Sequence, residues 1–139
     1  MATPEGGIRV LLVDDHRMVR ETIRRLLTSA QNIDVVGEAD NGAEAIASIG
    51  KLSPQVVVMD INMPKMDGLV ATKLVRRHYP NVAVLGLSVT EDSDHKSSME
   101  KAGAFRVMTK GTHGVDDLRL EIEKAAATMQ ALSRARRLI

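Results

Sequence analysis

Four apolar stretches of this 139-residue chain each end on side chains suited to phosphate or metal chemistry. Asp14 and Asp15 close VLLVDD, Asp60 closes VVVMD, Ser88 closes VAVLGLS and Lys110 closes FRVMTK. Short runs rich in Val, Leu, Ile or Met read as buried strands of a parallel sheet. In an open α/β sheet the carboxyl ends of the strands converge on one crevice, so these residues would meet there. A carboxylate attacks a phosphoryl group to form an acyl phosphate. Crowded carboxylates ionise at a cost unless a cation joins them. Mg²⁺ fits, because it takes hard oxygen ligands and bridges carboxylate to phosphate. The Ser88 hydroxyl and the Lys110 ammonium could then hold phosphoryl oxygens. Asp60 is the expected nucleophile: Pro64 and Gly68 mark a tight turn after it, and Asp67 supplies the next helix cap.

Strands are expected at Arg9 to Val13, Ile33 to Ala39, Gln55 to Asp60, Ala83 to Leu87 and Phe105 to Met108. Between them the apolar spacing turns helical. Val19, Ile23, Leu26 and Leu27 share one face, as do Ala71, Leu74 and Val75, and later Leu118, Ile122, Ala125, Ala126 and Met129. Asn41 caps the second helix with Glu44 in a capping-box arrangement, and Gly50 suits a left-handed exit. The fourth helix, Glu91 to Ala102, has only Met99 and Ala102 as apolar anchors and is expected to be weakly held. Strands alternating with helices predict an α/β fold with a doubly wound parallel sheet of five strands and five flanking helices.

The length suits one domain with a substantial core. One Tyr, one Phe and no Trp leave that core to aliphatic residues and eight Met, and leave almost nothing to stack on a base or a flavin. A net charge of +1 creates no large field toward nucleic acid or an anionic membrane. No cysteine is present, which excludes disulfides and thiolate metal sites. Met1 to Gly7 is expected to be a flexible leader, neither signal peptide nor membrane span. The spacing of His16, His78, His95 and His113 suggests no zinc site, and only His16 stands near the pocket. Arg134, Arg136 and Arg137 read as a solvated helix end favoured by its dipole.

In their order, VLLVDDH, VVVMDINMPKMDGL, VLGLS, KAGA and the Lys of VMTK make the chain from Ile8 to Ala127 resemble a receiver domain of a two-component response regulator. The resemblance implies a flavodoxin-like strand order of 2-1-3-4-5. It divides the chain into a leader at 1–7, a receiver at 8–128, and a helix extension or linker at 129–139. It implies that Asp60 accepts a phosphoryl group, with Asp15 and Asp60 as direct Mg²⁺ ligands, Asp14 acting through water and Asn62 through its backbone carbonyl. Ser88 would close on the phosphoryl group and Lys110 would pair with it. The donor would be a phosphohistidine on a histidine kinase or phosphotransfer protein. No Gly-rich loop ending in Lys-Ser or Lys-Thr is present to bind ATP. The implied protein is a cytoplasmic regulator rather than an enzyme, assisting its own phosphorylation and dephosphorylation. Its partners would include an output domain or effector and a phosphorylation-dependent second copy, with no membrane and no direct nucleic acid binding by this segment.

VDDH and VVGEADNGAEAI resemble receivers that precede helix-turn-helix domains, and similar receivers end hybrid sensor kinases. Two positions depart from the family pattern. Val107 stands where many receivers carry Tyr or Phe, with Phe105 expected on the same strand face, and Gly111 replaces a common Pro. A phosphatase of the haloacid dehalogenase type would need an acid at position 62, which is Asn62, and a flavodoxin would need aromatic stackers. A degenerate receiver that only binds proteins is the remaining alternative.

Overall fold

The structure is a computed structural model that describes residues 7–61, 63, 66–88, 93–109 and 115–138. Five parallel strands, β1 (Ile8–Val13), β2 (Ile33–Ala39), β3 (Val56–Asp60), β4 (Ala83–Ser88) and β5 (Arg106–Thr109), form one sheet in the order β2-β1-β3-β4-β5. They alternate with α1 (Arg17–Thr28), α2 (Gly42–Leu52), α3 (Gly68–His78), α4 (Ser93–Lys101) and α5 (Val115–Arg137). The expected fold and strand order are therefore present. No described helix is long and apolar enough to cross a membrane.

The alternation of strand side chains explains the layers. Val10, Leu12, Val56, Val58, Leu85 and Met108 bury one sheet face against Leu27 of α1 and Leu118, Ile122 and Met129 of α5. Leu11, Val13, Val57, Met59 and Val84 bury the other against Ala45 and Ile49 of α2 and Ala71 and Val75 of α3. The chain crosses from one side of β1 to the other between β2 and β3, which opens a crevice at the strands' carboxyl ends.

Three local expectations are corrected. Gly50 lies inside α2, and the left-handed exit belongs to Ser53, with φ 50° and ψ 56°. A Cβ at Gly50 would approach the Tyr79 hydroxyl to 3.1 Å, so glycine there leaves room for the ring. Leu26 turns outward and is exposed, while Leu27 beneath it is fully buried. Phe105 precedes β5 and packs with Met108 against the α1 and α5 side, whereas Val107 packs on the opposite side. The two-residue alternation holds only within the strand, and Phe105 sits in the bend before it.

Of the two apolar anchors expected for α4, Met99 is buried, whereas Ala102 lies just beyond the helix end. Met99 is its one buried side chain among the described residues, packed with Ile61, Ala104 and Val107. Its methyl end lies over Gly86, where an added Cβ would stand 3.0 Å from it, and its sulfur meets the Thr72 hydroxyl at 3.8 Å. Met99→Ala should therefore lower stability by about 2–5 kcal/mol. Hydrogen exchange should show faster opening of 93–101 before any change in β1 or β3, which checks the assignment of Met99 as the anchor.

Candidate functional site

Sheet register brings the acidic residues together. Val13 pairs with Met59, so Asp14 and Asp60 follow at the same level of adjacent strands. The Asp14 N–H donates to Ala39 O at 3.1 Å, extending the β1–β2 ladder by one residue, and the Ile61 N–H donates to Leu87 O at 3.0 Å beyond the end of β3. Asp14, Asp60 and Ser88 are all buried, while the Asp15 side chain keeps 28% of its surface exposed. Ligand atoms of Asp14, Asp15, His16 and Asp60 lie within 4.8 Å of one another. Ser88 closes β4, the strand beside β3, at the same end of the sheet. Asn62 and Lys110 lie outside the described residues.

The connection after Asp60 is shaped by glycine and by a cap. The Gly68 N–H donates to Ile61 O at 2.7 Å, and a Cβ at Gly68 would stand 2.3 Å from Asp60 O. Only glycine lets the start of α3 come this close to the end of β3. Asp67 caps α3 by accepting from the Val70 N–H at 2.9 Å, as expected, so capping is not the task of Asp60. Asn41 likewise caps α2 through the Glu44 N–H at 2.9 Å.

His16 is closer to the pocket than its neighbourhood in sequence alone could tell. Its N–H donates to Asp14 Oδ1 at 2.9 Å, and its ring Nδ1 stands 3.2 Å from that oxygen and 3.1 Å from Asp15 Oδ1. The contact with Asp15 has ion-pair distance without hydrogen-bond geometry. Asp15 Oδ1 is shielded from solvent yet accepts no hydrogen bond among the described residues. Such an oxygen, beside two buried carboxylates, fits a bound cation that supplies the missing interaction.

Behind the acidic residues lies a set of ion pairs that the sequence did not disclose. Arg20 Nε bonds Glu38 Oε1 at 2.8 Å and Arg24 Nε bonds Glu38 Oε2 at 2.7 Å. Burial works to raise the Glu38 pKa, but hydrogen bonds and charge from Arg20 and Arg24 outweigh it and hold the carboxyl below its ordinary value of 4.5.

The geometry agrees with comparisons to known proteins. A family model described as the response regulator receiver domain matches residues 10–123. The response regulator GacA of Pseudomonas viridiflava is 42% identical over 104 residues, covering 75% of this chain and 49% of that protein. A protein-glutamate methylesterase/protein-glutamine glutaminase of Methanococcoides burtonii is 43% identical over 100 residues, covering 72% of this chain and 27% of that protein. In the crystal structure of a two-component response regulator of the LuxR family from Aurantimonas sp. SI85-9A1, 86% of that chain matches 88% of this one, with 32% identity and a TM-score of 0.82. The chain belongs to the response regulator receiver domain family. It spans about half the length of the GacA regulator it matches, 49%.

The depressed Glu38 value makes a pH-dependent contribution to stability. A carboxyl whose folded pKa is lowered stabilises the fold above its unfolded value and loses that contribution as pH falls through the folded value. Glu38→Gln should therefore unfold at lower urea than the parent at pH 7, and the gap should close as pH falls below 4.5. A gap that stays constant into acid would remove the ion pairs as its source.

Proposed function

We propose that this receiver accepts a phosphoryl group from a phosphohistidine onto Asp60 with Mg²⁺, and that the change alters a partner-binding surface. The observation that carries this reading is the convergence of Asp14, Asp15 and Asp60 within 4.8 Å at the carboxyl ends of the strands. Asp15 and Asp60 would hold the cation directly, Asp14 through water and Asn62 through its carbonyl. When bound, Mg²⁺ supplies charge neutralisation for the carboxylates and for the phosphoryl oxygens.

The chain's own groups do the rest. A carboxylate oxygen of Asp60 attacks phosphorus while the bond from phosphorus to the donor imidazole nitrogen breaks, and the imidazole leaves with that electron pair. Burial of Asp60 and Ser88 keeps bulk water from most of the acyl phosphate. Ser88 donates its hydroxyl to a phosphoryl oxygen, and Lys110 adds a point charge to another. The donor is a histidine kinase or phosphotransfer protein, and the reader of the changed surface is an output domain, an effector or a second copy. Work of this kind belongs in the cytoplasm.

The movement of Ser88 toward a phosphoryl group has a short route outward. Val107 and Met99 pack beside Gly86, two residues before Ser88, so a shift at the end of β4 bears on the single anchor of α4. With Val107 in place of a ring, the readout is a change in the tilt or order of α4.

Incubation with acetyl phosphate and Mg²⁺ should add one hydroxylamine-labile phosphoryl group to the parent protein and none to Asp60→Asn. Equal incorporation by the variant would move the nucleophile elsewhere. No incorporation by the folded parent, from acetyl phosphate or from a kinase, would leave a protein-binding module that works without phosphorylation.

A further inference from the structure

The arginine behind the acidic pocket does more than join α1 to β2. Arg20 is mostly buried, with 15% of its side chain exposed, and its guanidinium is divided between two acceptors. Nε bonds Glu38 Oε1 at 2.8 Å, while Nη1 donates to the backbone carbonyl of Asp14. Asp14 is therefore gripped on both sides of its Cα: its N–H by Ala39 O at 3.1 Å, and its carbonyl by Arg20. The first grip comes from the last residue of β2, and the second from an α1 side chain bonded to Glu38, the residue before it.

An irregularity in β2 aims Glu38 at this task. Val10 pairs with Val35 but Leu11 pairs with Gly37, so Val36 is an extra residue. The shift sets Glu38 opposite Leu12, whose side chain lies in the core beneath α1. Paired residues of neighbouring strands project to the same face, so Glu38 meets Arg20 and Arg24, one helical turn apart on α1. In unbroken register Glu38 would stand opposite Val13, which packs on the α2 and α3 side.

We infer that Arg20, oriented by Glu38, is a positioning residue for the acidic pocket: it fixes the backbone from which the Asp14 and Asp15 carboxylates project. The inference rests on the proposal that this pocket holds Mg²⁺. Arginine is suited to positioning because its planar fork can serve two acceptors at once, which a lysine ammonium on a flexible stem does less well. Groups that orient metal ligands without touching the metal commonly govern affinity as well as stability.

Arg24 separates positioning from mere ion pairing. It bonds the other oxygen of Glu38, while the carbonyl of Asp14 is bonded by Arg20, so a purely structural network would treat Arg20 and Arg24 alike. Mg²⁺ binding by isothermal titration calorimetry and urea unfolding should be measured for the parent, Arg20→Met, Arg20→Lys and Arg24→Ala. Arg20→Met should weaken Mg²⁺ binding roughly ten-fold. Arg20→Lys should recover only part of the loss, and Arg24→Ala should bind Mg²⁺ as the parent does while losing stability. Parent-like Mg²⁺ affinity in a folded Arg20→Met would overturn the positioning role and leave the metal site intact. Equal weakening by Arg24→Ala would also overturn it. Absence of Mg²⁺ binding by the parent would instead remove the metal site itself, and the positioning role with it.

Discussion

The crowding of the Asp14, Asp15 and Asp60 carboxyl groups is the constraint around which the rest of the domain is arranged. Two unit charges 4.8 Å apart would repel by about 3.5 kcal/mol at an effective dielectric near 20, and by more at closer range. Two of the three carboxylates are almost completely buried, so water can do little to screen them. A compact domain has only some 5–15 kcal/mol of stability in all. Holding these groups together therefore requires rigid backbone on every side and countercharge nearby. Arg20, bonded to the Asp14 carbonyl, supplies part of it.

The fold answers the first requirement by building each acidic position into the end of a strand. Asp14 continues the β1–β2 ladder, and Asp60 is the last residue of a strand buried along its whole length. Gly68 lets the amino end of α3 lie directly against Asp60. The side of the sheet away from α1 and α5 is less tightly fastened, since α4 depends on Met99 alone among its described side chains. Rigidity is thus concentrated at β1, β2 and β3, and compliance at α4.

Much of this arrangement was legible in the sequence because it depends on short-range patterns. Apolar runs ending in VDD and VVVMD disclosed both the strands and the pocket, and the Asn41 and Asp67 caps could be read from the residues themselves. The failures arose where a tertiary contact overrode a local preference. Gly50 looked like a helix exit but makes space for Tyr79, and Ser53 accepts the left-handed backbone instead. Phe105 has the spacing of a strand residue, but the strand begins one residue later. The Arg20 to Glu38 bond spans 18 residues and depends on an extra residue in β2, which no periodicity announces.

If the crowded carboxylates need a bound cation, as proposed, urea unfolding at low ionic strength should respond to Mg²⁺. Binding to the folded state alone should stabilise the parent by about 2.7 kcal/mol when Mg²⁺ is at a hundred times its dissociation constant. Asp14→Asn should be more stable than the parent without Mg²⁺ and should gain less when it is added. A parent indifferent to Mg²⁺, with an Asp14→Asn variant less stable than the parent in its absence, would mean that the three carboxylates are reconciled by the protein itself.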